Sequence, residues 1–281
     1  ASYLDYDVTQ SGAVDSDGAA SSLTFTSTMP LQTSSGKKSA FANIKTNRMK
    51  DYTVNVETGD RKVHGFEFGL SGSDFIFSDA LATNYNLSAT YGYVNLKGNQ
   101  TAYTADAATA DSHGRYSKLG FSVVQQFYPF DSMELPAVAS LKGQYAFNNL
   151  DSSEKLYLGG SSAMQGYPSG EAGSDTGLLL NLSLTKRLNE SQSVKAFTDI
   201  GYAKLHKDTW TNWNAGNPGL TNTYVLKDIG ATFTQVVSDT TSIDLTAAVP
   251  VGSNSGEDAN GYDADGRDSS VRFWLNLKSV W

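Results

Sequence analysis

Apolar and polar residues alternate one by one along much of the chain. Between Asn84 and Leu96, Tyr85, Leu87, Ala89, Tyr91 and Tyr93 interleave with Asn84, Asn86, Ser88, Thr90 and Gly92, a period of two that a helix cannot use. Leu178, Leu180, Leu182 and Leu184 alternate in the same way with Leu179, Asn181, Ser183 and Thr185, and Ile243, Leu245, Ala247 and Val249 with Asp244, Thr246 and Ala248. Weaker runs fall at Leu23/Phe25, Tyr52/Val54/Val56, Phe66/Phe68/Leu70, Leu119/Phe121/Val123, Leu141 to Phe147 and Val194 to Tyr202. These runs predict about twelve or thirteen strands, with Ser2 to Val8 as a further candidate.

The connections alternate as well. Short links at Asn47–Lys50, Pro129–Glu134, Asn189–Ser191 and Ser238–Thr240 interleave with long polar ones at Gly98–Gly114, Asn149–Thr176, His206–Asn222 and Gly252–Asp268. Short turns on one side and long loops on the other are the pattern of an outer-membrane barrel. The expected fold is therefore all-β: a transmembrane antiparallel β-barrel of about twelve strands, one domain over residues 1–281, in the bacterial outer membrane. No stretch approaches the ~18 apolar residues that a membrane helix needs, and the mean hydropathy is −0.35. A barrel is compatible with that value because lumen-facing polar residues offset the lipid-facing ones.

The last run places Val271, Phe273, Leu275, Leu277, Ser279 and Trp281 on one face. It resembles the carboxy-terminal signal by which outer-membrane barrels are recognised for assembly, with Phe273, Leu275, Leu277 and Trp281 as its residues. No charged n-region and apolar h-region of a signal peptide is visible at the amino terminus, so the sequence reads as a mature chain or as part of a longer one. The chain has no cysteine, which removes disulfides, thiolate metal sites and cysteine nucleophiles together. Acidic residues outnumber basic ones 29 to 21, for a net charge of −8, which argues against a nucleic-acid surface.

From Gln144 the chain reads Gln-Tyr-Ala-Phe-Asn-Asn-Leu-Asp, then Ser152-Ser153-Glu154, Gly159-Gly160, Gln165-Gly166-Tyr167 and Gly173-Ser174-Asp175-Thr176-Gly177. This resembles the haemolysin-activator family, the outer-membrane transporters of two-partner secretion. There a strand leads through Ser-Ser-Glu and Gly-Gly into a long loop carrying Arg-Gly-Tyr, and Gly-Asp-x-Gly opens the next strand. Phe197-Thr198-Asp199-Ile200-Gly201 resembles the family's Phe-x-Asp-x-Gly strand, which faces the lumen and receives the loop; alternation independently puts Phe197, Asp199 and Gly201 on one face. The resemblance implies a lumen-directed loop over 149–176 with Gln165, Gly166, Tyr167, Gly173, Asp175 and Gly177 as its motif positions. It also implies five strands after the loop, and five runs are present. Gln165 stands where the family has arginine, so a contact with Asp199 would be a neutral hydrogen bond, roughly half as strong as a charged one. The family barrel has sixteen strands behind two POTRA domains, and nothing here resembles a POTRA domain.

Other chemistry finds little support. His64, His113 and His206 have no carboxylate or nucleophile framework around them. Glu67 and Asp244 are ordinary lumen carboxylates. The run Asp258 to Gly266 is oxygen-rich but lacks the terminal bidentate glutamate of a calcium loop, and Asp15-Ser16-Asp17-Gly18 is read with the same caution. Gly159-Gly160 and Gly170 to Gly177 have no helix after them, so they are turn glycines rather than a phosphate cradle. No cofactor, metal or catalytic residue is assigned. Expected partners are outer-membrane lipid and lipopolysaccharide, the barrel assembly machinery and a secreted exoprotein. Two functions remain: translocation of an unfolded exoprotein, or a POTRA-less porin-like or structural barrel.

Overall fold

A computed structural model describes residues 2–8, 16–32, 36–77, 81–130 and 135–280. Twelve strands are seen among them: β1 (Ser2–Val8), β2 (Ser16–Leu31), β3 (Lys37–Thr53), β4 (Val56–Asp74), β5 (Thr83–Asn95), β6 (Gly114–Phe127), β7 (Ala137–Ala146), β8 (Thr176–Arg187), β9 (Gln192–Lys204), β10 (Thr223–Ser238), β11 (Thr241–Pro250) and β12 (Arg272–Ser279). Each pairs antiparallel with its neighbours in chain order, giving one twelve-stranded meander. Among the described residues no pairing joins β12 to β1.

The register turns the alternation into two continuous surfaces. On the outside Phe25 lies opposite Ile44, Ile44 opposite Phe66 and Phe66 opposite Tyr91. Farther round, Leu178 faces Tyr202, Ile229 faces Val249, and Leu245 lies between Phe233 and Leu275. Phe25 and Phe273 are 68% and 78% exposed, an arrangement that hydrocarbon favours and water does not. The inner face is polar and internally bonded. Asn43 donates to Glu67 at 2.8 Å, Thr234 to Asp244 at 2.7 Å, and the Thr232 and Thr246 hydroxyls meet at 2.8 Å.

Three expectations change. The polar stretch Asn47–Lys50 is not a turn but lies within β3, because its side chains have partners across the sheet: Arg48 bonds Asp60 at 2.9 Å and Lys50 bonds Glu57 at 2.8 Å. The chain instead reverses at Val54-Asn55, both with positive φ, +49° and +60°, so the run Tyr52/Val54/Val56 is not one strand but the end of β3, a hairpin corner and the start of β4. The Gly98–Gly114 connection contains a helix, α1 (Gln100–Ala107), whose start is capped by Asn99 accepting the Ala102 N–H at 3.0 Å. The candidate Ser2 to Val8 is β1, and the last strand ends at Ser279; Trp281 lies outside the described residues.

A β-branched residue in the left-handed region costs about 1–2 kcal/mol, and the exposed Val54 gives up no packing if replaced. Val54→Asn should raise resistance to urea unfolding in lipid vesicles by about 1 kcal/mol. Leu245→Arg, at the middle of the outer belt, should lower it by about 2–4 kcal/mol; an effect within 0.5 kcal/mol of zero, the usual range for a water-exposed site, would mean that this face does not meet hydrocarbon.

Candidate functional site

Residues 147–175 connect β7 to β8, and their contacts reach most of the way round the sheet. Asp151 caps a short 3₁₀ turn, Ser152–Glu154, by accepting the Ser153 N–H at 3.0 Å. Arg61 on β4 holds that turn, 3.3 Å from the Asp151 carboxylate and 2.7 Å from the Ser152 hydroxyl. Glu154, 6% exposed, lies 3.0 Å from Lys118 on β6 and 3.9 Å from Lys45 on β3. Its carbonyl accepts from Lys118 at 2.6 Å and from Gln144 on β7 at 3.2 Å. At the other end Asp175 is fully buried, 3.0 Å from Lys155, and accepts the N–H groups of Leu150 at 3.2 Å and Lys207 at 2.8 Å. A buried carboxylate is tolerated only when it is satisfied in this way.

Between these anchors the loop carries its own apolar nucleus. Leu156, Leu158, Met164, Tyr167 and Ala172 pack on Leu179 of β8, Ala203 of β9, and Tyr224 and Leu226 of β10. Those strand residues point inward, where a water-filled lumen would favour polar groups. Leu179 is therefore not part of a polar face, as alternation with Leu178 and Leu180 suggests; it is covered by the loop. Gly201 leaves the space the loop fills, since a Cβ there would lie 2.5 Å from the Met164 sulfur and 3.1 Å from Leu158 Cδ1. Phe197 lies against its cross-strand partner Gly230 on β10, an aromatic ring covering a glycine in the sheet.

The tip meets Asp199 through the Gln165 backbone N–H and not through the Gln165 side chain. The Gln165 side chain is satisfied within its own loop, donating to the Ser161 carbonyl at 2.7 Å, and Asp199 accepts from Asn181 of β8. A second strand carboxylate accepts the tip: Asp228 of β10, which lies directly opposite Asp199 and accepts the Gly166 N–H at 2.7 Å. Gly166 can make that approach because it has no side chain: a Cβ would stand 2.6 Å from Asp228 Cβ. The Tyr167 hydroxyl donates to the Lys227 carbonyl at 3.0 Å, and the Trp274 indole N–H of β12 donates to the Gln165 carbonyl at 2.8 Å. Asp228 and Trp274 were not singled out by sequence; an aspartate and a tryptophan on the inner face of otherwise ordinary strands gave no motif to follow. Of the remaining motif glycines, Gly173 lies 2.6 Å, as a Cβ would, from the Tyr157 ring and Gly177 3.1 Å from Leu156 Cδ2.

A second loop, 251–271, closes over the first. Glu171 accepts the Ala264 N–H at 2.9 Å; burial pushes its carboxyl above the usual range, and that N–H opposes the shift. Asp263 and Asp265 grip Arg272, each at 2.7 Å, and Asp258 accepts N–H groups of its own turn, from Asn260 at 2.8 Å and Tyr262 at 3.0 Å, so these carboxylates already have protein partners. Asp15 of the other acidic run lies outside the described residues, whereas Asp17 and Gly18 are in β2. His206 packs edge-on against Trp210 and Trp213 at 4.7 and 5.6 Å; burial, with the Lys155 charge, pushes its imidazole down to about 4. His64 is on β4 and His113 in the connection before β6. Phe273, Leu275 and Leu277, the residues of the expected carboxy-terminal signal that lie among those described, are exposed on β12.

A family described as haemolysin secretion/activation protein ShlB/FhaC/HecB matches residues 1–218. Curated relatives include the heme/hemopexin transporter protein HuxB of Haemophilus influenzae strain Rd, 27% identical over 225 residues, and that of strain 86-028NP, 25% identical over 225 residues. Each alignment covers 77% of this chain and 36% of the relative, so the chain spans about a third of the length of these proteins. Among solved structures, CdiB from Escherichia coli superposes with a TM-score of 0.68 at 16% identity, covering 99% of this chain and 48% of that one. BamA from Haemophilus ducreyi lacking POTRA domains 1–3 gives a TM-score of 0.54 at 11% identity, covering 95% and 64%. These two likenesses establish the outer-membrane β-barrel fold.

Because the chain has no cysteine, a single introduced thiol reports on the loop cleanly. Gly166→Ala should undock the tip from Asp228, at a cost of about 1–3 kcal/mol for overpacking. A thiol introduced by Ala163→Cys should then react several-fold faster with a water-soluble maleimide; an unchanged rate would show that the tip does not depend on this contact.

Proposed function

Because this chain belongs to the haemolysin secretion/activation family, we propose that it is the membrane-embedded pore of a two-partner secretion transporter, passing an unfolded exoprotein outward past a loop that moves aside. The observation that carries this reading is the loop 149–176. It runs along the inner face and is held by ion pairs at its base, an apolar nucleus in its middle and backbone and indole hydrogen bonds at its tip. An extended polypeptide needs the space that this nucleus occupies, so transport requires the loop to be displaced.

The comparison proteins support the same class of activity. The HuxB relatives are transporters by description, and the family is one of secretion and activation. A porin-like or structural barrel, the other reading of the sequence, gives no role to a long loop that keeps a buried, fully paired aspartate and its own apolar nucleus. In this reading the outer belt meets lipid, with lipopolysaccharide at its outer rim, and β12 is the strand presented to the assembly machinery.

A reversible cross-link tests the required movement. Met164→Cys with Gly201→Cys places two thiols where a Cβ at 201 would stand 2.5 Å from the Met164 sulfur. With the disulfide formed, secretion of the exoprotein should stop, and a reductant should restore it to the level of the unlinked double variant. Secretion at an equal rate with the disulfide intact would mean that the loop need not move, and the reading would fail.

A further inference from the structure

Four lysines line the inner wall on separate strands: Lys45 on β3, Lys118 on β6, Lys142 on β7 and Lys195 on β9. Lys45 and Lys118 converge on one carboxylate, Glu154 of the loop, at 3.9 and 3.0 Å. Lys142 and Lys195 make no ion pair among the described residues, and both line one cavity of about 280 Å³ beneath the loop tip, together with Ser140, Asn181, Ser161, Ser162 and Gln165. Lys142 also borders a second polar cavity of about 220 Å³ shared with Lys118, Glu67 and Gln144. The larger cavity is slightly below the ~300 Å³ at which small-molecule sites begin, so it suits a side chain and its neighbouring peptide group better than a separate organic ligand. Hydroxyl and amide groups around the two ammonium groups supply the neutral hydrogen-bonding partners that such a segment needs.

We propose that this lysine row is a binding track for the carboxylates of an acidic polypeptide segment, and that Glu154 of the loop is its resident intramolecular occupant. The proposal rests on the transport reading above. It adds the chemistry of the segment received: Lys142 and Lys195 form the vacant part of the track, and displacement of the loop frees Lys45 and Lys118 to extend it. Asp199 and Asp244 are within electrostatic reach of Lys195, but no neighbouring acid forms an ion pair with Lys142 or Lys195 among the described residues. Glu67 accepts from Asn43 at 2.8 Å, Asp199 accepts from Asn181, and Asp228 is engaged by Gly166. The Lys195 ammonium lies over the Phe197 ring, 5.6 Å from its centroid, a cation–π contact that keeps it at the wall.

The test uses the native protein from outer membranes in planar bilayers, with hexaglutamate, hexaglutamine or hexalysine added on the short-turn side while ionic current is measured. Hexaglutamate should reduce the current at about fivefold lower concentration than hexaglutamine, and less strongly in 1 M than in 0.1 M KCl, where the screening length falls from about 10 to about 3 Å. Lys142→Gln with Lys195→Gln should abolish that preference, whereas Glu154→Gln, which unpairs Lys45 and Lys118, should strengthen it. Equal block by hexaglutamate and hexalysine, or a preference unchanged in the double lysine variant, would overturn the proposal. If bulk chloride selectivity shifts in the lysine variant while the peptide preference stays, the lysines bind small anions and no polypeptide track exists. The disulfide experiment reads loop displacement and not charge, so either result can fail without the other.

Discussion

Hydrocarbon offers no hydrogen bonds, so each peptide group that crosses a membrane must be paired within the protein. In this chain the requirement is met by long antiparallel ladders, and because strand side chains alternate, it also assigns a face to every residue. A shift of one residue in any register would place Glu67, Asp199 or Asp244 in lipid and Phe66, Ile200 or Leu245 in the lumen. The ladder thus fixes where polar chemistry can occur: on the inner face, in the loops, and at strand ends beyond the apolar belt. β3 and β4, at 17 and 19 residues, are longer than the 9–11 residues needed to cross a bilayer. Their far halves carry the Arg48–Asp60, Lys50–Glu57 and Arg61–Asp51 pairs, which belong in water or at a headgroup surface.

The loop 149–176 uses the inner face in three ways that differ in strength. At its base, carboxylates are matched to cations with additional N–H donors, and removing one partner from such a buried set is strongly destabilising. In its middle, apolar residues bury one another against strand residues that are themselves exceptions to the polar lining. At its tip the bonds run from a backbone N–H to Asp228 and from Trp274 to a carbonyl, so the docking depends on shape, and Gly166 supplies that shape.

Much of this was legible in sequence where the periodicity was strict. β5 and β11 follow from alternation alone, apolar residues outside and mostly polar ones inside, and β8 and β9 do so beyond the stretch that the loop covers. The signal failed where a strand left the membrane. Asn47–Lys50 reads as a turn because its residues are polar on both faces, yet cross-strand ion pairs keep it in β3. α1 was hidden because an eight-residue helix with no buried face has no apolar stripe to detect. The loop's bed was visible only as a defect in the pattern, Leu178-Leu179-Leu180, three apolar residues where alternation calls for a polar one in the middle. That Gln165 meets Asp199 through its backbone, and Gly166 meets Asp228 one strand away, could not be read from sequence, because a backbone contact to a carboxylate leaves no mark in residue type other than a glycine.

The replacement of arginine by Gln165 relative to the family pattern takes on meaning in that hierarchy. An arginine at the tip would add a charge-assisted bond, roughly twice a neutral one, at the point farthest from the base. With glutamine the side-chain amide turns back on Ser161, and the tip is held by the backbone N–H groups of Gln165 and Gly166 on Asp199 and Asp228, the Tyr167 hydroxyl on Lys227 and the indole bond from Trp274. The charged interactions are thereby concentrated at Asp151, Glu154 and Asp175, near the two ends where the loop joins its strands. A segment paired through charges near both ends and held by fewer contacts at its apex is built to open first at the apex, away from β10 and β12, with release of Glu154 from Lys45 and Lys118 as a later step. On the proposed transport reading, opening of that kind would expose Leu179, Ala203 and Leu226 to the lumen before any buried ion pair breaks, so the first step would be opposed mainly by apolar surface that an entering polypeptide could cover in the loop's place.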